Sequence, residues 1–249
     1  MHIIMNGKNL MRLRILLSTI IFILLPVAQV HAVSSTNIWI ENELYSDMEF
    51  WAAEGLIESH LSSTKPIVGS ELGRQIATAL DKCGSLASSS ATCNNIQKYY
   101  AKMFAAEISE AKNPNHIAGS FVKPIENFSL SYNYLDGAFS VFNNEGINYG
   151  QGSNAVVQFQ SHARLWKAFS FFVQPALVYN NHSFDSFYES DAELRLHRGY
   201  VKINIANFEA QVGRDSLWWG PGYHGALLMS NNAHPFDMIK LSNPDPDWT

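Results

Sequence analysis

From about Phe121 onward the residues alternate, and this alternation limits what the chain can fold into. Phe128, Leu130, Tyr132 and Tyr134 interleave with Ser129, Ser131 and Asn133. Val157, Phe159, Ser161, Ala163 and Leu165 interleave with Gln158, Gln160, His162 and Arg164. Phe169, Phe171, Val173, Leu177 and Tyr179 follow. Glu189, Asp191, Glu193, Arg195 and His197 then stand opposite Ala192, Leu194 and Leu196. Val201, Ile203 and Ile205 alternate with Lys202 and Asn204, and Phe208, Ala210 and Val212 with Glu209 and Gln211. A period of two places one set on each side of a strand, so each strand has an apolar face and a strongly polar one.

Two architectures accept such strands. A soluble antiparallel sheet packs the apolar face on a core and wets the polar face. A membrane barrel turns the apolar face to lipid and the polar face to a lumen. Several segments run for about ten residues, the length of a tilted crossing. Phe128, Tyr132, Trp166, Tyr179, Phe187 and Tyr200 recur near expected strand ends, where aromatic girdles lie. The pattern therefore predicts a mainly β chain forming part of an outer-membrane antiparallel β-barrel, with a secreted β-sandwich as the alternative. The strands are fewer than the about eight of the smallest single-chain membrane barrels. The run Asn243-Pro244-Asp245-Pro246-Asp247-Trp248-Thr249 has loop composition. The expectation is an N-terminal portion of a longer barrel.

Ahead of the strands the period is helical. Leu44, Met48, Trp51, Ala52, Leu56 and Ile57 predict one helix between Glu43 and Glu58. Ser70 resembles an N-cap for a second, running to about Lys82. A third is expected from near Asn94, with Ile96, Tyr99, Tyr100, Met103, Phe104 and Ile108 on its apolar face, ending before Asn113-Pro114. Residues 1–32 read as a signal peptide: Lys8, Arg12 and Arg14 precede an apolar run, and Val30-His31-Ala32 fits a cleavage site. A retained membrane anchor is the alternative. Cleavage removes three positive charges and takes the formal net charge from −5 to −8. Such an acidic chain is a poor nucleic-acid binder, because phosphate contacts need basic groups. Export also makes Cys83 and Cys93 the two halves of a disulfide rather than metal ligands. The organisation expected is a signal peptide over 1–32, a helical region over 33–118 and the barrel portion over 119–249.

Catalytic signals are weak: there is no His-Glu-x-x-His run, no phosphate-binding glycine loop and no nucleophile elbow. Asp215 with Glu209, or Glu189 with Asp191, supplies carboxylate pairs, but nothing in the spacing sets the separation a glycosidase needs. The chain is expected to be a non-enzyme without cofactor or metal. The polar files Gln158–Arg164 and Glu189–His197 read as interior packing or as a surface that contacts carbohydrate or ions.

One run stands apart: Gly213-Arg214-Asp215-Ser216-Leu217-Trp218-Trp219-Gly220-Pro221-Gly222. Adjacent tryptophans between a charged pair and a Gly-Pro-Gly turn serve packing, stacking on sugar rings, or anchoring at a membrane interface. Arg214, Asp215, Trp218, Trp219, His224, Asn231 and Asn232 are the candidate residues for contact with polysaccharide or for a barrel rim.

That run, with Leu227-Leu228-Met229-Ser230-Asn231-Asn232-Ala233 and Pro235, resembles the capsule assembly protein Wzi family. Leu44-Tyr45-Ser46-Asp47 through Glu54-Gly55-Leu56-Ile57, followed by Lys65-Pro66, resembles that family's N-terminal region. The resemblance implies a lectin-like, non-catalytic outer-membrane barrel of a Gram-negative bacterium, with its helical region in the periplasm. Its implied partners are capsular or other exported polysaccharide and outer-membrane lipid, with no nucleic acid and a monomeric state. A porin-like transport barrel is the runner-up, and a secreted β-sandwich acting on glycans is the second alternative.

Overall fold

The computed structural model of the chain describes residues 34–40, 43–57, 63–85, 90–113, 119–137, 141–180, 192–205, 207–222 and 224–243. The signal peptide at 1–32, Phe187, Glu189, Asp191 and the stretch 244–249 lie outside the described residues.

Helix α1 spans Leu44–Ala53. Helix α2 spans Gly69–Ser85. A helical segment follows as α3 (Ala91–Asn95), a π-turn (Ile96–Tyr100) and α4 (Ala101–Met103), then, after a break at Phe104, α5 (Ala105–Lys112). Ser90 caps α3, its hydroxyl accepting from the Cys93 amide at 3.0 Å. Ser70 is not the expected cap: α2 already starts at Gly69, and the Ser70 amide donates to the Ser35 hydroxyl. The helices share one apolar core built around Leu44, Met48, Trp51, Leu72, Ile76 and Ile96. Trp51 meets Tyr100 edge-on with centroids 5.1 Å apart. Gly73 lets α2 and α5 touch, since a Cβ there would stand 2.5 Å from that of Glu107. Tyr99 and Met103, expected inside, are exposed, because the π-turn shifts the phase of the segment. Cys83 and Cys93 form the expected disulfide, tying the last turn of α2 to α3.

The strands are β1 (Thr64–Lys65), β2 (Phe121–Leu135), β3 (Gly152–Leu165), β4 (Phe169–Asn180), β5 (Ala192–Ile205), β6 (Phe208–Asp215), β7 (Trp218–Trp219) and β8 (Phe236–Ser242). They form a six-stranded antiparallel sheet, β2-β3-β4-β5-β6-β8, and a two-stranded sheet, β1-β7. Both sheets are open. The expected β-barrel is therefore corrected: this is a mixed α/β fold, in which β2 and β8 each have one unpaired edge among the described residues. The expectation of transmembrane strands falls with it, because a sheet crossing lipid has to satisfy its edges by closing on itself. Among the described residues no helix is long and apolar enough to cross a membrane.

The alternation itself is present, and its polarity is inverted relative to a soluble sheet. Leu130, Tyr132, Val173, Leu177, Val201, Ile203, Val212 and Ile239 lie exposed on one face. They meet across strands in pairs such as Phe128 with Phe159, Leu177 with Leu194, and Val201 with Val212. The opposite face buries Gln174, Lys202, Asn204, Glu209, Gln211 and Asp215. A bulge sits where Gln174 pairs with Arg198 and Pro175 with Leu196, leaving His197 unopposed. Pro175 has no amide to donate, so the ladder breaks there and the consecutive residues His197 and Arg198 both turn inward.

Candidate functional site

The polar face is covered by residues 34–40, which cross it as a strap on the way to the helices. Asn37 is the strap's anchor. Its Nδ2 donates to Gln211 Oε1 at 3.0 Å and to Asp215 Oδ2 at 2.7 Å, and its backbone amide donates to the Tyr200 hydroxyl at 2.9 Å. Lys202 Nζ donates to Asn37 Oδ1 and pairs with Glu209 at 3.0 Å, both charged side chains being 0% exposed. Burial pulls the Lys202 ammonium down to about 8, against the opposing carboxylates of Glu209 and Asp215. An unpaired charge at that depth would cost several kcal/mol, which is why each charge here has a hydrogen-bonded counter-group.

Glu145 is a second hub. It sits in a left-handed conformation with φ 48° and is buried. Its carboxylate accepts from Trp39 Nε1 at 3.3 Å and the Ser216 hydroxyl at 3.0 Å, and meets His197 Nε2 at 2.7 Å. Burial alone would raise this carboxyl. The His197 bond, the charges of Arg198 and His197 and the Ser216 bond outweigh it and hold the group at about 2. Its amide donates to the Asn231 carbonyl at 2.7 Å, so strap, β5, the segment after β6 and the 231 loop all meet at one residue.

The seven candidate residues do not form one constellation. Arg214 and Asp215 are neighbours on a strand and therefore face opposite ways. Arg214 pairs with Asp237 on the exposed side at 2.9 Å, while Asp215 joins the buried network. Gly213 between this segment and β5 is needed for close approach: its φ is 135°, and a Cβ would stand 2.3 Å from the Gly199 carbonyl oxygen.

The tryptophans divide in the same way. Trp218 is buried, donates to the Gly220 carbonyl at 3.0 Å and lies 5.7 Å from the Lys65 ammonium, which also stands 4.6 Å over the Tyr45 ring. Trp218 is thus packing between the two layers, and β7 pairs with β1 rather than with the large sheet. Trp219 is 43% exposed. His224 is exposed and offers its carbonyl to Asn143 Nδ2 at 2.8 Å. Asn231 is buried and donates to the Asn143 carbonyl, and exposed Asn232 accepts from the Asn143 amide. These asparagines hold loop against loop.

A cleft of about 570 Å³ opens between the strap, α4–α5 and the polar face of β2–β4. Trp39, Phe121, Asn127, Gln158 and Gln160 are among its walls. Arg198 donates to Gln174 Oε1 at 2.8 Å, and Gln174 Nε2 donates to Gln158 Oε1 at 2.9 Å. Asn127 Nδ2 donates to Gln160 Oε1 at 3.0 Å. Glu126 is held at about 2, chiefly by the His162 hydrogen bond, with burial opposing and Lys123 assisting. A smaller cavity of about 420 Å³ lies beside the 228–234 loop. Among the described residues no group of three His, Cys, Asp or Glu side chains is placed to hold a metal ion.

Sequence reasoning picked out Asp215 and the Gln158–Arg164 file but missed Asn37, Trp39 and Glu145. The first two lie in a short aperiodic stretch, and Glu145 lies in a loop. Only contacts over more than a hundred residues reveal them. No match was found among curated proteins or among solved structures. Residues 135–247, from the end of β2 through the buried polar network and the tryptophan run, match the family model described as capsule assembly protein Wzi.

Proposed function

We infer that this chain is a non-catalytic, polysaccharide-associated protein of the outer membrane, which assembles or retains exported polysaccharide at the cell surface. The match of residues 135–247 to the capsule assembly family is the observation that carries this reading. The exposed apolar face supports a contact with outer-membrane lipid, since contiguous apolar surface of this extent marks an interaction site. The buried polar network is structural in this reading: Lys202 pairs with Glu209, and Asn37 joins Asp215 to the strap. In this reading the helical region over 33–118 lies in the periplasm. Trp219, Arg214, His224 and Asn232 are the exposed candidates for polysaccharide contact, while Asp215, Trp218 and Asn231 shape the loops that carry them.

Deletion of the gene, followed by measurement of cell-bound against released polysaccharide, tests the proposal. A shift from bound to released material, reversed by complementation, is expected. Unchanged partition in the deletion strain would discard it. Flotation with phospholipid vesicles tests the lipid contact, and a protein that stays wholly in the unfloated fraction would remove it.

A further inference from the structure

We propose that the cleft between the strap and the polar face of β2–β4 is a binding site for a neutral, hydroxyl-rich glycan segment, walled by Trp39, Gln158, Gln160 and Asn127. This rests on the reading of the chain as polysaccharide-associated and adds a place for the sugar, away from the tryptophan run. The cleft's about 570 Å³ is within the range of small-ligand pockets.

The polarity of the amide relay determines what the wall offers. A guanidinium can only donate, so Arg198 fixes Gln174 with its oxygen toward the arginine and its nitrogen toward Gln158. Gln158 therefore spends its oxygen on Gln174, and its Nε2 has no partner among the described residues. Asn127 and Gln160 are coupled through one bond, which leaves Gln160 Nε2 as a donor and Asn127 Oδ1 as an acceptor. A wall with donors and an acceptor side by side suits hydroxyl groups, each of which both donates and accepts.

Trp39 supplies the apolar part. Its indole nitrogen is tied to Glu145, and the Arg198 guanidinium stands 5.6 Å from the ring centroid. Arg198 is not among the cleft walls whereas Trp39 is, so the arginine backs the ring and the cleft receives it. An aromatic ring fixed in this way can stack on the C–H face of a sugar. The charged wall residues offset one another: Lys123 pairs with Glu126, Arg164 pairs with Glu110 behind the wall, and burial raises the Glu107 carboxyl, which leaves little net charge to select an acidic chain.

Isothermal titration of the full chain with oligosaccharides from dextran, mannan and galactan, with polygalacturonate fragments as the acidic arm, tests this. The expected result is binding of at least one neutral series. The double variant Gln158→Glu/Gln160→Glu should weaken it about tenfold or more, as expected for the loss of amide donors. These variants keep the oxygens that accept from Gln174 and Asn127, so the fold should be retained, which thermal unfolding checks. Trp39→Phe should weaken binding as well. Neutral binding that survives the double variant undiminished would overturn the cleft and leave the polysaccharide reading standing. Preference for polygalacturonate over every neutral series would overturn the neutral class. No binding of any series, together with unchanged polysaccharide retention in the deletion strain, would discard both.

Discussion

The helical layer and the large sheet solve the same burial problem with opposite chemistry. The helices hide Leu44, Met48, Trp51, Leu72, Ile76 and Ile96 and put most of their charges outside, with Glu110 the exception, buried against Arg164. The sheet hides Lys202, Glu209, Gln211 and Asp215 and leaves Leu130, Leu177, Val201 and Val212 outside. The helical core is held by nondirectional burial, at roughly 25 cal/mol per Å² of apolar surface. The sheet's interior has a small apolar cluster of Ile147, Val156, Ala176 and Val178 and is otherwise held by hydrogen bonds and ion pairs between polar groups, with Glu209 Oε2 and the Asn204 side-chain amide left without a partner among the described residues. One region should thus tolerate volume-conserving change, and the other should tolerate loss of a partner badly.

The largest expected effect is on the helical side. Trp51→Ala should cost about 3–5 kcal/mol, measured by denaturant unfolding, because the residue is 1% exposed and braced by Tyr100. On the sheet side, Lys202→Met should cost a comparable roughly 3–5 kcal/mol by leaving Glu209 buried without its cation. The double change Lys202→Met/Glu209→Gln should recover much of that loss. If Lys202→Met costs under about 1 kcal/mol, the polar layer is not acting as a core and the contrast collapses.

Reduction of the Cys83–Cys93 bridge, whose partners are 10 residues apart, should cost about 2–3 kcal/mol, read as a lower unfolding midpoint with reductant present. Glu145→Gln should cost about 2 kcal/mol at neutral pH through weakened charge-assisted bonds. It also tests the pH response. The folded Glu145 carboxyl is held at about 2, below its ordinary 4.5. Between those values the unfolded chain binds more protons. The group's contribution is complete above about pH 4.5 and is lost as the pH falls toward 2. Glu126 acts in the same window, so acid titration of the Glu145→Gln/Glu126→Gln variant should show a shallower loss than the parent. A parent-like acid slope would show that the sheet's polar interior is not the acid-sensitive region.

The smallest stability change is expected on the exposed face. Leu194→Ser, at a position 77% exposed, should alter stability by less than about 0.5 kcal/mol in buffer while reducing vesicle flotation.

Much of this was legible along the chain. The helix positions, the disulfide and the strand segments from β2 to β6 follow from local period and cysteine context, signals that operate within one turn or one strand. β8 breaks its alternation at the adjacent apolar pair Met238-Ile239, and was not foreseen. The phase of the third helix was lost at the π-turn, since a helical wheel assumes an unbroken 3.6 period. The candidate site was legible only in parts. Trp218 and Trp219 look equivalent in sequence, yet adjacent strand residues point opposite ways, and one is packed against Lys65 while the other is exposed.

By itself the sequence determined which residues share a face, because that depends on the two-residue strand repeat. It did not determine that the inner face would be mixed, with Val156, Phe172, Ala176, Val178 and Tyr200 buried beside Gln174 and Lys202. Tertiary structure alone decided which face is inside and whether the sheet closes, because both depend on partners distant in the chain. Asn37 seals the polar face from more than 160 residues away from Lys202, and β2 and β8 end as open edges among the described residues. No local repeat encodes either result, since the free energy lies in the contact between segments rather than in any one of them.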